Sequence, residues 1–485
     1  DNGHTNRRQN NGNVEIPEGN RIQEIQPPQN PRDENDAQLM GNPANFSGIK
    51  AIWNNTVQPA LYWNGQTILL AILIAVCGAG LLYLDFEMTD KCLSLLQFNV
   101  TVSPAVQRWE LLGETGQALI LNFWFLVTMM LLFGESLKQN LKYRLIFVSM
   151  GCALFQIVVE AHLIVFNVSN TPITEVFLVG VLFSCGLVGR AEGENRTKKW
   201  KIAVTIAAQF LLMFIIGLCH RFWVIPSFSS EENQATKAVI ALMAPVLAFF
   251  ATSISQFLVL AWSAPWLVDQ NRMYVLVYFN QLLPLALFRV MQADFDDWGW
   301  FVGLSFIHNI IIFFSETTYE PRKTFWKNMM ECLSKAWPRL NDRPQPFFEK
   351  SESKTLQIDL HIQHSLYHYT MIILSQIYIT LYRYSTFDIP FQEEISRVVA
   401  RIAVGLGIEL CLNILSMSLQ IHFCRYKIED VGYKCKLRHG LASIVLVMVT
   451  ICYFSHVLYN VLKIPMGGAL VDYRVRNCSF PFTYE

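Results

Sequence analysis

"QTILLAILIAVCGAGLLYLDF", residues 66–86, is an unbroken apolar run whose only charge, Asp85, sits at its end. A helix of that length rises about 30 Å, the thickness of the hydrocarbon core of a bilayer. Such a run is too long for a strand and too evenly apolar for a helix with one wet face. Outward from it the pattern repeats. Further runs lie at 117–136, 144–166, 174–190, 202–222, 238–262, 273–292, 298–316, 367–384, 396–420 and 440–463. The sequence therefore predicts an all-α integral membrane protein with about eleven transmembrane helices.

Composition agrees. Of 485 residues, 52% are hydrophobic and only 16% charged, against about 25% charged in soluble domains. Mean hydropathy is +0.29. The net charge of zero gives no basic surface for nucleic acid, and no nucleic-acid partner is expected. The 11 cysteines form no CxxC pair, and no P-loop, GxSxG, HExxH or complete GxGxxG occurs, so neither a cofactor nor a metal is expected on motif grounds.

Loop charge orients the chain. Loops after the even-numbered runs carry most of the lysines and arginines, among them Lys138 and Lys142, then Arg190 to Lys201, Arg322 to Lys354, and Arg425 to Arg438. The positive-inside rule then predicts a cytosolic N-terminus and a lumenal or extracellular C-terminus. The sequons at Asn99, Asn167 and Asn477 fall on the predicted outer side and are expected glycosylation sites. Cys92 and Cys478 lie there too, where a disulfide between them and two unpaired thiols are both open readings. The expected location is the endoplasmic reticulum or plasma membrane.

Between the runs, residues 1–45 are rich in Asn, Gln, Glu and Pro and read as a disordered cytosolic tail. Residues 46–65 read as a pre-membrane interfacial segment, 66–319 as spans one to eight, 320–365 as a cytosolic loop, 366–463 as spans nine to eleven, and 464–485 as a lumenal tail. Within the large loop, about 324–337, Phe325, Trp326, Met329, Met330, Leu333 and Trp337 fall on one arc of a helical wheel, with charged and polar residues opposite. That is the pattern of a helix lying flat at the cytosolic interface. A helix packed on the protein itself is the alternative.

The loop ends in "DLHIQHSLYHY", residues 359–369. On a wheel His361, His364 and His368 share an arc of about 60° while Asp359 points away. Two histidines at i, i+3 or i, i+4 can hold one metal ion, but a third on the same straight helix is too far along the axis, and there is no second histidine box. The expected role is a polar stripe where the ninth span leaves the membrane, a surface for lipid headgroups or a partner. A metal site at these three is the alternative.

Ionisable groups inside apolar runs are costly and mark candidate sites. Glu160, His162, Arg289, Arg401, Glu409 and His456 are candidates for a substrate or structural polar network, with Arg289 expected to snorkel to the boundary and Arg397 and Arg401, which share a helix face, expected to need acidic or polar partners such as Glu160 or Asp294, Asp296 and Asp297. His308 with Asn309, in the apolar stretch FIHNIIIFF, is the candidate for a general base. Three functions fit these features. The first is handling or movement of a lipid-like or small hydrophobic substrate, with membrane lipids and other membrane subunits as partners. The second is an acyltransferase-like membrane enzyme using the buried His308. The third is a non-catalytic structural subunit of a membrane complex.

Overall fold

A computed structural model describes residues 52–86, 104–165, 173–193, 195–259, 272–318, 351–387, 391–424 and 436–452, with a few positions between 324 and 335. These residues form helices and no strands. A π-helical turn, Trp53–Val57, runs directly into α1, Gln58–Asp85. Then follow α2 (Pro104–Phe133), α3 (Gln139–Val165), α4 (Ile173–Glu192) and α5 (Arg196–Cys219). The short α6 (Ile225–Ser230), α7 (Gln234–Leu258), α8 (Tyr274–Asp294) and α9 (Trp298–Thr317) come next. The long α10 (Ser351–Phe387) and α11 (Phe391–Cys424) precede a last helical stretch, α12, at 436–452.

Among the described residues, eight helical segments are long and apolar enough to cross a membrane: Trp53–Asp85, Leu111–Ser136, Gln139–His162, Arg196–Ser230, Gln234–Leu258, Tyr274–Asp294, Trp298–Thr317 and Glu394–His422. The remaining three expected spans fall on α4, α10 and α12. All three are helical, but α10 is polar along much of its length, α4 carries Glu175, Arg190 and Glu192, and α12 is described only to residue 452. A helical bundle with this many span-capable helices is compatible with a multi-pass membrane protein.

Local sequence sets several helix ends. The Asn233 side chain accepts from the Ala235 N–H at 2.9 Å and so caps α7, and Asp297 accepts from the Gly299 N–H to cap α9. Gly134 ends α2 at a φ of +58°, a conformation costly for any residue with a Cβ. The space a Cβ would take there is already filled by the Arg272 guanidinium.

Helices adjacent in sequence pair as α2 with α3, α3 with α4, α4 with α5, and α7 with α8. Long-range contacts then wrap these around α8 and α10, which pack on each other, while α10 also contacts α1 and α11. An aromatic cluster locks α2, α4, α5 and α8 together. Trp124 stacks on Phe177 with centroids 5.7 Å apart, and Phe210 lies 4.9 Å from Phe279. Gly78 lets α1 approach closely, since a Cβ there would meet Val447 at 3.0 Å and Leu374 at 3.1 Å.

Apolar side chains face outward as well as into the core, and a set of polar ones is buried among them. Leu69, Phe147, Val179 and Trp200 stand on the outside, largely exposed. Along α10, by contrast, Gln357, Asp359, His361, Gln363, His364, Ser365, His368, Thr370, Ser375 and Gln376 are all buried. Large exposed apolar surface around a polar centre suits hydrocarbon outside and hydrogen bonding inside.

Two helix bounds differ from the expected segment bounds. The 46–65 segment is not separate from the first span, because the helix is continuous from residue 52, with Trp63 and Asn64 buried. The loop at 320–365 ends earlier than expected, because α10 begins at Ser351. The tract looks loop-like in sequence because it is polar, yet it is helical because its polar groups meet partners on neighbouring helices. Of the expected interfacial helix, residues 324, 325, 328, 332 and 335 are helical and Phe325 is exposed, while Trp326, Met329, Met330, Leu333 and Trp337 lie outside the described residues.

Candidate functional site

The buried polar groups of α8, α9, α10 and α11 converge on one line along the bundle. At its centre the Glu409 carboxylate of α11 holds two partners. Oε2 accepts from Arg289 Nη2 of α8 at 2.9 Å, and Oε1 lies 2.5 Å from His368 Nδ1 of α10. The far nitrogen of that imidazole, Nε2, is 2.9 Å from His308 Nε2 of α9. Asn309 lies beside the Glu409 carboxylate. His308 Nδ1 is buried with no hydrogen-bond partner.

The line continues both ways. Toward one end, Arg289 Nη1 donates to Gln292 Oε1 at 2.8 Å, and Gln292 donates to the Phe301 carbonyl at 2.8 Å and to Ser305. Beyond it, Arg401 donates to the carbonyls of Ala293, Phe295 and Asp296, the oxygens left free where α8 ends. Arg397 closes that end by pairing with Asp296 at 2.7 Å. Toward the other end the His364 ring stacks on His368 with centroids 5.0 Å apart, and its Nδ1 is 3.1 Å from Gln281 Nε2. One turn further, His361 Nδ1 is 2.7 Å from Glu316 Oε1, and Ser416 donates to Glu316 Oε2 at 2.6 Å. From Arg401 to Ser416 the line spans about 22 Å along α11.

No protein-family model, curated protein or solved structure matches the chain. The reading therefore rests on the geometry.

Two side networks hold the line in place. Asn413 donates to Asn64, Ser365 and Tyr369 at 2.8–2.9 Å, which ties α1, α10 and α11 together. On the opposite face of α10, Asp359 is 3.1 Å from His439 Nε2, whose Nδ1 is 3.0 Å from Gln363 Oε1, and Gln363 donates to Ser443 at 2.6 Å. A polar group buried in a low dielectric costs several times more unpaired than paired, so these networks specify one register of the helices.

Sequence candidates fare differently. Arg289, Glu409 and His308 meet at the centre, joined by His368. Arg289 does not snorkel: it is fully buried, because Glu409 supplies the countercharge within the bundle. Arg401 takes backbone carbonyls and sits apart from Glu160. Glu160 is buried elsewhere, accepting from Gln156 at 2.8 Å, and Gln156 in turn accepts from Asn122 of α2. His162 is exposed. His456, Asn99, Asn167, Asn477, Cys92 and Cys478 lie outside the described residues.

The largest revision concerns His361, His364 and His368. They are not a wet stripe at a span boundary; all three are buried, with exposures of 2%, 6% and 0%. The three rings face different partners, Glu316, Gln281 and the Glu409–His308 pair. Among the described residues no group of three or more His, Cys, Asp or Glu is placed to hold a metal ion. Ser416 carries no signal in sequence, since Ser within an apolar helix is common and only its placement against Glu316 marks it.

A cavity opens beside the line, between α7, α8, α9 and α10, with room for a few water molecules. His308, His361, His364, Gln281 and Glu316 line one side of it. Chemically the line can carry a proton. With Nδ1–H of neutral His368 directed at Glu409, its Nε2 is an acceptor. A neutral His308 then donates Nε2–H and keeps Nδ1 bare.

Proposed function

We propose that the protein moves protons, or a solute coupled to protons, across a membrane through the Glu409–His368–His308 relay. The observation that carries this is the chain of short contacts ending on the unpartnered, buried His308 Nδ1 of a residue lining the cavity. A proton taken from cavity water onto Nδ1 lets His308 release its Nε2 proton to His368 Nε2. His368 then releases its Nδ1 proton to Glu409. Each imidazole returns to neutral, and one proton has moved from cavity to carboxylate. Ring rotation restores the starting tautomers. A proton on Glu409 also cancels the charge that holds Arg289, so the tie between α8 and α11 loosens as the proton arrives. This gives transport a way to alternate between two packings.

In this reading the N-terminus is cytosolic, the Glu316–His361 end of the line faces the cytosol, and the Arg397–Asp296 end faces the lumen or exterior. About eleven spans cross a membrane of the endoplasmic reticulum or cell surface, lipids cover the apolar exterior, and the outer sequons are glycosylated. Imidazole chemistry at His308 serves proton transfer here and not acyl transfer. The earlier expectation of a small hydrophobic substrate keeps one specific support, the apolar wall of the cavity.

Purified protein in liposomes with a trapped pH-sensitive dye and a valinomycin-clamped potential tests the reading. Wild-type protein should carry protons, and His368→Phe should abolish the flux while eluting as a folded monodisperse species. A His368→Phe protein that conducts like wild type refutes it.

A further inference from the structure

The relay leaves part of the cavity unexplained. Its walls differ in character. Phe249, Leu285, Ile311, Ile312 and Leu360 make one side apolar, and that side gives protons nothing to bind. Pro245, inside α7, lines the cavity and has no N–H to donate to the carbonyl of Ala241.

Among the residues of the polar side, His361 Nε2, His364 Nε2 and Gln281 Oε1 have no hydrogen-bond partner, in addition to His308 Nδ1 of the relay. Leaving such atoms unpaired in a buried place is costly, so a ligand that satisfies them binds with that cost returned. Their roles follow from the bonds on the other side of each group. His361 Nδ1 faces the Glu316 carboxylate and carries a proton toward it; with the ring neutral, Nε2 is an acceptor. His364 Nδ1 faces the Gln281 amide nitrogen and accepts, so its Nε2–H is a donor. Gln281 Oε1 is a second acceptor. No Lys or Arg lines the cavity, and Glu316 already has His361 and Ser416 against it. An anionic head would find no countercharge there. A hydroxyl can donate to His361 Nε2 or Gln281 Oε1 while accepting from His364 Nε2–H.

We infer that this cavity is a binding site for a small uncharged amphiphile, with a hydroxyl head between His361 and His364 and an apolar body against Ile312 and Phe249. The inference deepens the transport reading by naming a ligand class at the mouth of the relay, and it can fail separately from it.

The probe is a diazirine-bearing octanol, photolysed with purified protein in phosphatidylcholine nanodiscs and mapped by mass spectrometry. Label should concentrate on peptides holding Phe249, Ile311–Ile312 and Leu360, and excess 1-octanol should displace it while octane does not. His364→Phe should weaken the competition roughly tenfold, the effect of losing one buried donor. His364→Gln, which keeps an N–H, should recover most of it, and Ile312→Trp should exclude the probe by filling the space. Glu409→Gln should lose proton flux yet keep the label, which separates this site from the relay. Label spread over the lipid-facing Phe250, Phe306 and Phe314 without displacement by octanol overturns the site, and equal displacement by octane overturns the hydroxyl assignment.

Discussion

Replacing Arg289 by Met leaves the Glu409 carboxylate inside the bundle with His368 and Asn309 but no cation. The Arg289–Glu409 contact is 2.9 Å, and the side chains are 2% and 4% exposed, so water cannot take over the missing partner. Removing one partner of a buried pair costs about 3–5 kcal/mol, whereas replacing both by apolar groups of similar volume is often neutral. The single variants Arg289→Met and Glu409→Met should therefore each be destabilised by about that much, since either leaves a lone charge. The double variant should recover most of the loss, giving a coupling of roughly 3 kcal/mol or more. Heating each detergent-solubilised variant and measuring the surviving monodisperse fraction gives the order: wild type and double variant high, both single variants low. Proton flux should follow a different order. It should be lost in Glu409→Met and in the double variant alike, because the relay ends on the carboxylate. Losses that simply add across the two sites would refute the reasoning, because they would mean each charge is already satisfied without the other.

Further predictions follow from other parts of the fold. Gly134→Ala should cost about 1–2 kcal/mol from the left-handed backbone alone, plus displacement of Arg272, and should show as a lower melting temperature with proton flux intact. Trp124→Ala opens a hole among Phe177, Phe210 and Phe279 and should cost about 3–5 kcal/mol in the same heating assay. Asn413→Leu strands the Asn64 carbonyl oxygen and Tyr369 hydroxyl less severely, because those two still bond each other at 2.8 Å; a loss of about 1–3 kcal/mol is expected. The topology is checked by glycosidase digestion of protein from a eukaryotic host. Mobility should shift, and Asn99→Gln, Asn167→Gln and Asn477→Gln together should remove the shift.

Much of the architecture was readable from apolar runs. Span-forming length is a local property, and Trp53–Asp85 or Gln234–Leu258 announce it without reference to any other residue. Glu409, Arg289 and His308 also announced themselves, because an ionisable group in an apolar run carries a cost that some partner must offset. Which partner does so is not local. Arg289 looked close enough to a boundary to reach water, and only the approach of α11, 120 residues later, places Glu409 against it.

The histidine-rich stretch was misread for the same reason in reverse. Between Gln357 and His368 nearly every second residue is polar, and a polar segment beside an apolar one reads as emerging into water. The hydropathy of a segment does not say what surrounds it. Here the surroundings are Gln281, Arg289, His308, Glu316, Glu409 and His439, scattered over four other helices. Local chain chemistry by itself determined an all-helical chain with several span-capable helices and a set of charges needing partners, because helix length and apolarity act within one segment. Tertiary packing decided that the most polar helix lies at the centre, because only simultaneous hydrogen bonding to several neighbours makes burying that many polar groups cheaper than leaving them wet.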